Sequence, residues 1–216
     1  QDWKSRSGAP WPGIHEFEVG CTLEHAGYAL SWLVGLFGPV KEMTAFSSLT
    51  FPDKGSGSQN HTLAPDFSVG CLTFKSGVVA RLTSGLAAPR DRSLTILGDK
   101  GSITVRDLWD NRSVVHLEQT DAPRPLLHKI LRRLEAKSGK ALPFKQVPGR
   151  RLSYPATNRM QLPSYPSKID FMGGVAAQAR TIRGKGPAFY FDALAFHITE
   201  LALAMHNANS EQQPYK

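Results

Sequence analysis

Cysteine is scarce in this sequence of 216 residues, and long apolar runs are missing from it. Its only cysteines, Cys21 and Cys71, form no CxxC pair and no cluster with histidine at metal-ligand spacing, which argues against a zinc site or a disulfide scaffold. No apolar run approaches the roughly 20 residues that cross a bilayer, and the N-terminal residues have no apolar signal core. Since 41% of the residues are hydrophobic, fibrous and disordered classes are excluded. We therefore expect a globular, cytoplasmic protein without a metal site.

Motifs that would bind a nucleotide or carry hydrolytic chemistry are missing as well. The sequence has no GxGxxG or GxxxxGKS/T phosphate loop, no GxSxG elbow and no HExxH zinc motif. Gly98 and Gly101 flank two polar residues, and this stretch is better explained by a hairpin turn than by a phosphate loop. Taken alone, the chain therefore has no self-sufficient cofactor site.

The segment GCTLEHAGYALSWLVGLFGPV (20–40) predicts a helix with one polar face. Glu24 and Tyr28 are about one turn apart, so they project from the same side. The same face continues with Ser31 and Gly35. The opposite side is broad and apolar, as in helices that pack on a sheet, and it comprises Leu23, Ala26, Leu30, Leu33, Val34 and Phe37. The glycine and proline at 38–39 are predicted to end the helix.

Six runs rich in strand-forming residues follow, separated by turns or loops. They span residues 40–51, 66–74, 78–86, 93–98, 102–109 and 113–119. Glycine-bearing turns between them are hairpin signals, so we expect an antiparallel sheet of about five or six strands. Two segments with helical spacing come last, at 170–184 and 190–208. This order favours an α+β fold in which helices cover one face of an open, mainly antiparallel sheet.

The formal charge of +8 is concentrated in one segment. Nine basic residues and a single acid lie between Arg124 and Arg151, so the rest of the chain is neutral in sum. Leucine and isoleucine recur at helical spacing over 127–134, and the proline-rich remainder is predicted to be an extended loop. We interpret 124–168 as an insertion with three open roles: a solvated cover over an active-site mouth or oligomer contact, a surface for an anionic membrane or polymer, or a nucleic-acid contact. The scarcity of aromatic residues disfavours the last.

The segment 20–40 resembles the first helix of the C-terminal domain in the Gfo/Idh/MocA oxidoreductases, the glucose-fructose oxidoreductase and inositol dehydrogenase family, whose pattern there is roughly G-G-x-L-x-D-x-G-x-H/Y. Three further stretches agree in order and spacing: VKEMTAF, the hairpins DFSVGCLTFKSGVVARLTSG and SLTILGDKGSITV, and the closing helices DFMGGVAAQARTIRGKGPAFYFDALAFHITELALAM. The resemblance implies a single domain over 1–216, similar in fold to the C-terminal domain of glyceraldehyde-3-phosphate dehydrogenase. It also implies an N-terminal NAD(P)-binding Rossmann domain, which is absent from this sequence, so we expect the sequence to be a piece of a longer protein.

The same resemblance implies the site residues. Tyr28 takes the place of the family's acid/base histidine or tyrosine, and Glu24 takes the place of its aspartate, longer by one methylene. Hydride transfer at a carbinol carbon needs a group that handles the hydroxyl proton, and a phenol near a lysine ammonium has its pKa, about 10 when unperturbed, lowered enough to do so. The alternative is an interfacial tyrosine and a solvated glutamate. Residues expected to line the substrate cleft are Trp11, His15, Arg90 and Asp91, although a surface ion pair explains the last two equally well.

Other polar residues are expected to have structural roles. His25 points away from Glu24 and is assigned to packing or the surface. His197 and Glu200, three residues apart on the last helix, are expected to pair. Cys21 has no basic neighbour in sequence that would activate its thiol.

The sequence therefore predicts the substrate-binding and oligomerisation domain of an NAD(P)-dependent oxidoreductase acting on a sugar-like polyol or its keto form. NAD or NADP would be bound mainly by the missing domain, which also supplies the catalytic lysine, so the chain alone should be inactive. A homo-oligomer through the open sheet face is expected. The alternative is a non-catalytic module that docks on an acidic partner or an anionic membrane through its basic segment.

Overall fold

The structure, a computed structural model, describes residues 13–54, 61–86, 91–110, 112–121, 130, 133–134, 136–137, 139, 149–153, 172–186, 192–208 and 213–215. In chain order its elements are α1 (Gly13–Val19), a π turn (Thr22–Ala26), α2 (Gly27–Phe37), β1 (Val40–Ser48), β2 (Phe67–Phe74), β3 (Val79–Gly85), β4 (Leu94–Gly98), β5 (Gly101–Val105), β6 (Val115–Gln119), β7 (Arg150–Leu152), α3 (Gly173–Ile182), α4 (Asp192–His206) and β8 (Gln213–Tyr215). The six predicted strands and the two closing helices are confirmed, with shorter bounds. No helix within these ranges is long and apolar enough to cross a membrane.

The strands form two sheets rather than the single sheet that was predicted. Their orders are β3-β2-β1-β8 and β4-β5-β6-β7, and every neighbouring pair is antiparallel. The three-residue strands β7 and β8 are too short to leave an alternating pattern in the sequence. The α+β class is confirmed. The chain divides into two compact units, Gln1–Pro89 with Arg183–Lys216, and Arg90–Ile182.

In the first unit, α4 packs on β1 and β2 and also contacts α2 and the π turn. Alternate residues of the two strands face this helix, with Met43 opposite Leu72 in the register. The buried apolar side chains of the strands and of α4 include Met43, Leu72, Phe74, Leu201 and Met205. Since burying one such side chain contributes about 1.5–3 kcal/mol, this layer holds the helices on the sheet. Gly38, with φ +84° and its amide donating to Val34 O at 2.9 Å, ends α2 as predicted.

The second unit is built on the other sheet, whose two faces differ in polarity. Direct cross-strand partners include Leu94 with Val105, Ile96 with Ile103, and Val115 with Leu152, so one face is apolar. These six side chains are all half-buried. The opposite face carries Thr95, Thr104, His116 and Arg151 in one cross-strand row.

Candidate active site

The predicted helix over 20–40 begins with a π turn instead of a regular α-helix. Thr22–Ala26 form the π turn, and α2 follows without a break. Such turns are rare inside helices and are frequent at functional sites. Leu23, predicted on the apolar face, is 38% exposed. We attribute this difference to the wider turn, which displaces side chains around the axis relative to α-helical spacing.

Gly20 allows the start of this helix to approach the neighbouring chain closely. Its φ is +85°, and a Cβ at this position would lie 2.9 Å from both Ala64 Cβ and Pro65 O. The following amide, that of Cys21, donates to Pro65 O at 3.1 Å. The helix start is therefore fastened to the segment that leads into β2.

Glu24 lies within the π turn, and Tyr28 lies in the first turn of α2. Glu24 is half-buried and Tyr28 is 52% exposed, so solvent reaches both side chains. Trp32 and Leu36, at successive four-residue steps after Tyr28, are 52% and 55% exposed. The exposed face of α2 is therefore partly apolar, and not the polar face that was predicted.

Two glutamates of α1 are paired with histidines. His25 Nε2, in the π turn, lies 2.9 Å from Glu16 Oε1, and His61 Nδ1 lies 2.6 Å from Glu18 Oε1. His15, predicted to line the substrate cleft, has its Nδ1 3.6 Å from Glu18 Oε2, and its side chain is 75% exposed. His25 thus ties the π turn to α1, a contact that sequence reasoning did not identify.

Three further residues, Trp11, Arg90 and Asp91, were predicted to line the substrate cleft. Trp11 and Arg90 lie outside the described residues. Asp91 belongs to the second unit, where the Ser93 amide donates to its Oδ1 at 2.8 Å, so its place in the cleft stays a prediction. The helical pair of His197 and Glu200 is confirmed, with Nδ1 3.5 Å from Oε2.

A layer of buried hydroxyl groups lies between the helix start and the sheet. Thr22 Oγ1 donates to Ser68 Oγ at 2.7 Å, and both residues are fully buried. Ser68 lies opposite Ser47 on β1 and Ser84 on β3, and both are buried too. Cys21 Sγ donates to Ser84 O at 3.6 Å. Serines at alternate strand positions are typical of a solvent face, so this buried layer could not be recognised from the sequence alone.

Burial raises the pKa of the Cys21 thiol, and its hydrogen bonds with Thr22 and Ser68 only partly oppose that effect. A thiol with a raised pKa is a poor nucleophile. This agrees with the structural role expected for Cys21.

A buried ion pair closes the loop between β1 and β2. Lys54 Nζ lies 2.6 Å from Asp66 Oδ2, and neither side chain is exposed. Asp66 also accepts hydrogen bonds from Thr50 Oγ1 at 2.6 Å and from the amides of Thr50 and Phe51 at 2.7 and 3.0 Å. Burial by itself raises the pKa of Asp66, but the hydrogen bonds from Lys54, Thr50 and Phe51 outweigh it and hold the pKa below its usual 3.8.

The described residues offer no metal cluster, and the helix start after Gly20 does not suit the pyrophosphate of a dinucleotide. No three histidine, cysteine, aspartate or glutamate side chains among them could hold a metal. At the helix start after Gly20, the amides of Cys21 and Glu24 already donate to Pro65 O and Gly20 O, and the Glu24 carboxylate would repel phosphate. This part of the chain therefore offers a carboxylate and a phenol, but no dinucleotide cradle.

Several solved oxidoreductases share the fold at low sequence identity. A protein from Desulfitobacterium hafniense, assigned as an NADPH-dependent oxidoreductase, is 14% identical with a TM-score of 0.56, over 90% of this chain and 47% of its own. KijD10, a 3-ketoreductase from Actinomadura kijaniata solved with TDP-benzene and NADP, is 15% identical with a TM-score of 0.53, over 88% and 48%. The WlbA dehydrogenase from Bordetella pertussis, solved with NADH and UDP-GlcNAcA, is 16% identical with a TM-score of 0.52, over 100% and 54%. This chain spans about half the length of these structures.

No curated protein matches the sequence. A family model described as the GFO/IDH/MocA C-terminal domain matches residues 1–104, which include the π turn, α2 and strands β1 to β4. The solved structures share the fold, and residues 1–104 therefore match the GFO/IDH/MocA C-terminal domain.

Proposed function

We propose that this chain is the substrate-binding and oligomerisation domain of an NAD(P)-dependent oxidoreductase that acts on a sugar-like polyol or its keto form. The observation that carries the proposal is the carboxylate of Glu24 and the phenol of Tyr28 on consecutive turns, at a π turn, with solvent access to both. KijD10 and WlbA, both solved with a nicotinamide cofactor, support it. Cys21 and Cys71 are both free thiols, which suits a cytoplasmic location.

Each of the two side chains has a defined role in this proposal. When the substrate is oxidised, the phenolate of Tyr28 takes the proton of the reacting hydroxyl; in the reverse direction the phenol returns it to the carbonyl oxygen. Glu24 accepts a hydrogen bond from a neighbouring substrate hydroxyl. A nicotinamide cofactor bound outside the described residues would supply the hydride chemistry.

Replacement of Tyr28 by phenylalanine in the full-length protein tests the proposal. The change removes one oxygen from an exposed side chain, so we expect the fold and the cofactor affinity to be kept and turnover to be abolished. Ser31→Ala is the matched control on the same helix, because the Ser31 hydroxyl donates locally to Gly27 O at 2.7 Å. Turnover of Tyr28→Phe at the rate of the control would overturn the proposed role.

Glu24→Gln tests the second role separately. The amide keeps the shape of the side chain but loses its charge, so a hydrogen bond to a charged group is replaced by a neutral one. We expect kcat/KM to fall by about 5- to 13-fold, as for the difference of about 1–1.5 kcal/mol between a charged and a neutral hydrogen bond. An unchanged kcat/KM would remove Glu24 from the substrate site while leaving the role of Tyr28 open to its own test.

For oligomerisation we propose the outer face of the first sheet, on the side opposite α4. Val79 there is 70% exposed, and Cys71 and Arg81 are exposed cross-strand partners beside it. A Val79→Asp variant should dissociate the oligomer in sedimentation experiments. An oligomer that survives this change would place the interface elsewhere.

A second function, docking on an anionic membrane, is favoured by one observation in the basic segment. Ile130 and Leu134, one helical turn apart, are each 53% exposed, and the neighbouring Arg133 and Lys137 are exposed as well. Exposed apolar and cationic side chains together are typical of helices that lie on anionic lipid. Salt-sensitive binding to phosphatidylserine vesicles that is lost in Arg133→Gln/Lys137→Gln would support it, and equal binding to neutral vesicles would refute it.

A further inference from the structure

We propose that the buried hydrogen bond between Thr22 and Ser68 positions the Glu24 carboxylate relative to the Tyr28 phenol. This inference rests on the function proposed above for those two side chains. Thr22 is the first residue of the π turn and Ser68 lies on β2, so the bond joins the turn directly to the sheet. Its length is 2.7 Å, and water reaches neither residue.

The geometry of this contact restrains rotation of the helix start. Cys21 and Thr22 are consecutive, and their side chains are bonded to different strands: the thiol to Ser84 O on β3, and the hydroxyl to Ser68 on β2. Hydrogen bonds depend on angle as well as distance, so two of them to adjacent strands fix the direction in which the turn faces. Apolar packing alone would permit more rotation.

A second contact restrains the same turn from the other side. His25 Nε2 lies 2.9 Å from Glu16 Oε1, and both side chains are partly exposed. Glu24 therefore sits between Thr22, which is held from the sheet, and His25, which is held from α1. A change of this turn from π to α geometry would alter the angle about the helix axis between successive side chains. Glu24 would then move relative to Tyr28, while the rest of the fold stayed intact.

The experiment compares three variants of the full-length protein. Thr22→Val removes the hydroxyl and keeps the branched shape, and Thr22→Ser restores the hydroxyl. Ser47→Ala is the matched control, because it removes another buried hydroxyl of the same serine row, one that donates to His206 O at 2.9 Å and not to the turn. Ser68→Ala, which removes the acceptor of the same bond, replaces Thr22→Val if that variant does not fold.

Two readouts without substrate report the position of the turn. We expect amide hydrogen exchange over residues 24–28 to rise about tenfold in Thr22→Val, as for the loss of one buried hydrogen bond, and to stay unchanged in Ser47→Ala. The ring resonances of Tyr28, assigned with the Tyr28→Phe variant, should shift in Thr22→Val and return in Thr22→Ser. With UDP-GlcNAcA and NAD as the probe pair, kcat should fall in Thr22→Val while KM is kept.

The outcomes separate this inference from the proposed function. Unchanged exchange and resonances in Thr22→Val, or equal changes in Ser47→Ala, would overturn the positioning role, since the contact would then contribute only general stability. Normal turnover of Tyr28→Phe would overturn the proposed function instead. The exchange and resonance results would still decide whether the bond holds the turn.

Discussion

The buried pair of Lys54 and Asp66 allows a quantitative prediction. Lys54→Met keeps the length of the side chain but leaves the Asp66 carboxylate buried without a counter-charge. Removing one partner of a buried pair costs about 3–5 kcal/mol, because the remaining charge has lost its compensation. The three remaining hydrogen bonds from Thr50 and Phe51 should keep the loss in the lower part of this range. Since whole domains have only about 5–15 kcal/mol of stability, the variant should be markedly weakened.

Urea unfolding followed by circular dichroism measures this loss. With a urea slope of about 1–3 kcal/mol per M, the midpoint should fall by roughly 1 M or more. Lys41→Met is the matched control, since Lys41 Nζ lies 3.2 Å from Glu42 Oε1 but both side chains are more than half exposed, at 62% and 55%. Exposed pairs contribute about 0–1 kcal/mol, so this variant should unfold nearly as the parent does. Equal, small losses in both variants would refute the reasoning, because Lys54 would then behave as a solvated residue.

The pH dependence of the same pair has a definite sign. The pKa of Asp66 in the folded protein lies below its ordinary 3.8, so the unfolded chain binds a proton more readily than the folded one. The contribution of Asp66 is therefore complete above about pH 4 and is lost as the pH falls through the folded pKa. Asp66→Asn should remove this acid limb of the stability profile, and an unchanged limb in that variant would assign it to other carboxyls.

Two further predictions concern His206 and the cysteines. Burial lowers the pKa of His206 below 6.5, so the unfolded chain binds a proton at a higher pH than the folded chain does. The urea midpoint should therefore fall as the pH drops below about 6.5. His206→Gln should reduce this pH dependence, and an unchanged dependence would mean that His206 does not cause it. Iodoacetamide should label Cys71 in the native Val79→Asp variant, in which the proposed oligomer face is open, and the buried Cys21 only in urea, as peptide mass spectrometry can check, whereas native labelling of Cys21 would contradict its burial.

The positions of the main strands could be predicted because they depend on local signals. Turns such as the one ending at Gly101 separate β-branched runs, and the structure places β4 and β5 on either side of it. The division into two sheets could not be predicted in this way. It depends on which strands pair, and β8 joins the first sheet beside β1 from the far end of the chain.

The candidate site could be predicted only in part for the same reason. Glu24 and Tyr28 are recognisable because they are four residues apart on one helix. Thr22 and Ser68 are 46 residues apart, and Lys54 and Asp66 are 12 apart across a polar loop, so only the folded chain brings either pair together. The π turn could not be predicted, because the spacing of apolar residues indicates a helix only on the assumption of about 3.6 residues per turn throughout.

The contact between helices and sheet in the first unit is apolar in one part and hydrogen-bonded in another, and this difference bears on function. Met43 and Leu72 form apolar packing beneath α4, whereas Ser68 and Ser84 accept hydrogen bonds from Thr22 and Cys21, where the helix that carries Glu24 begins. A buried hydrogen bond contributes about 1 kcal/mol, no more than the apolar side chain that could replace it, so stability alone does not explain the hydroxyls. The hydrogen bonds of these hydroxyls restrain the orientation of the helix start. A helix start that must hold a carboxylate at a fixed angle to a phenol gains from this restraint on its orientation.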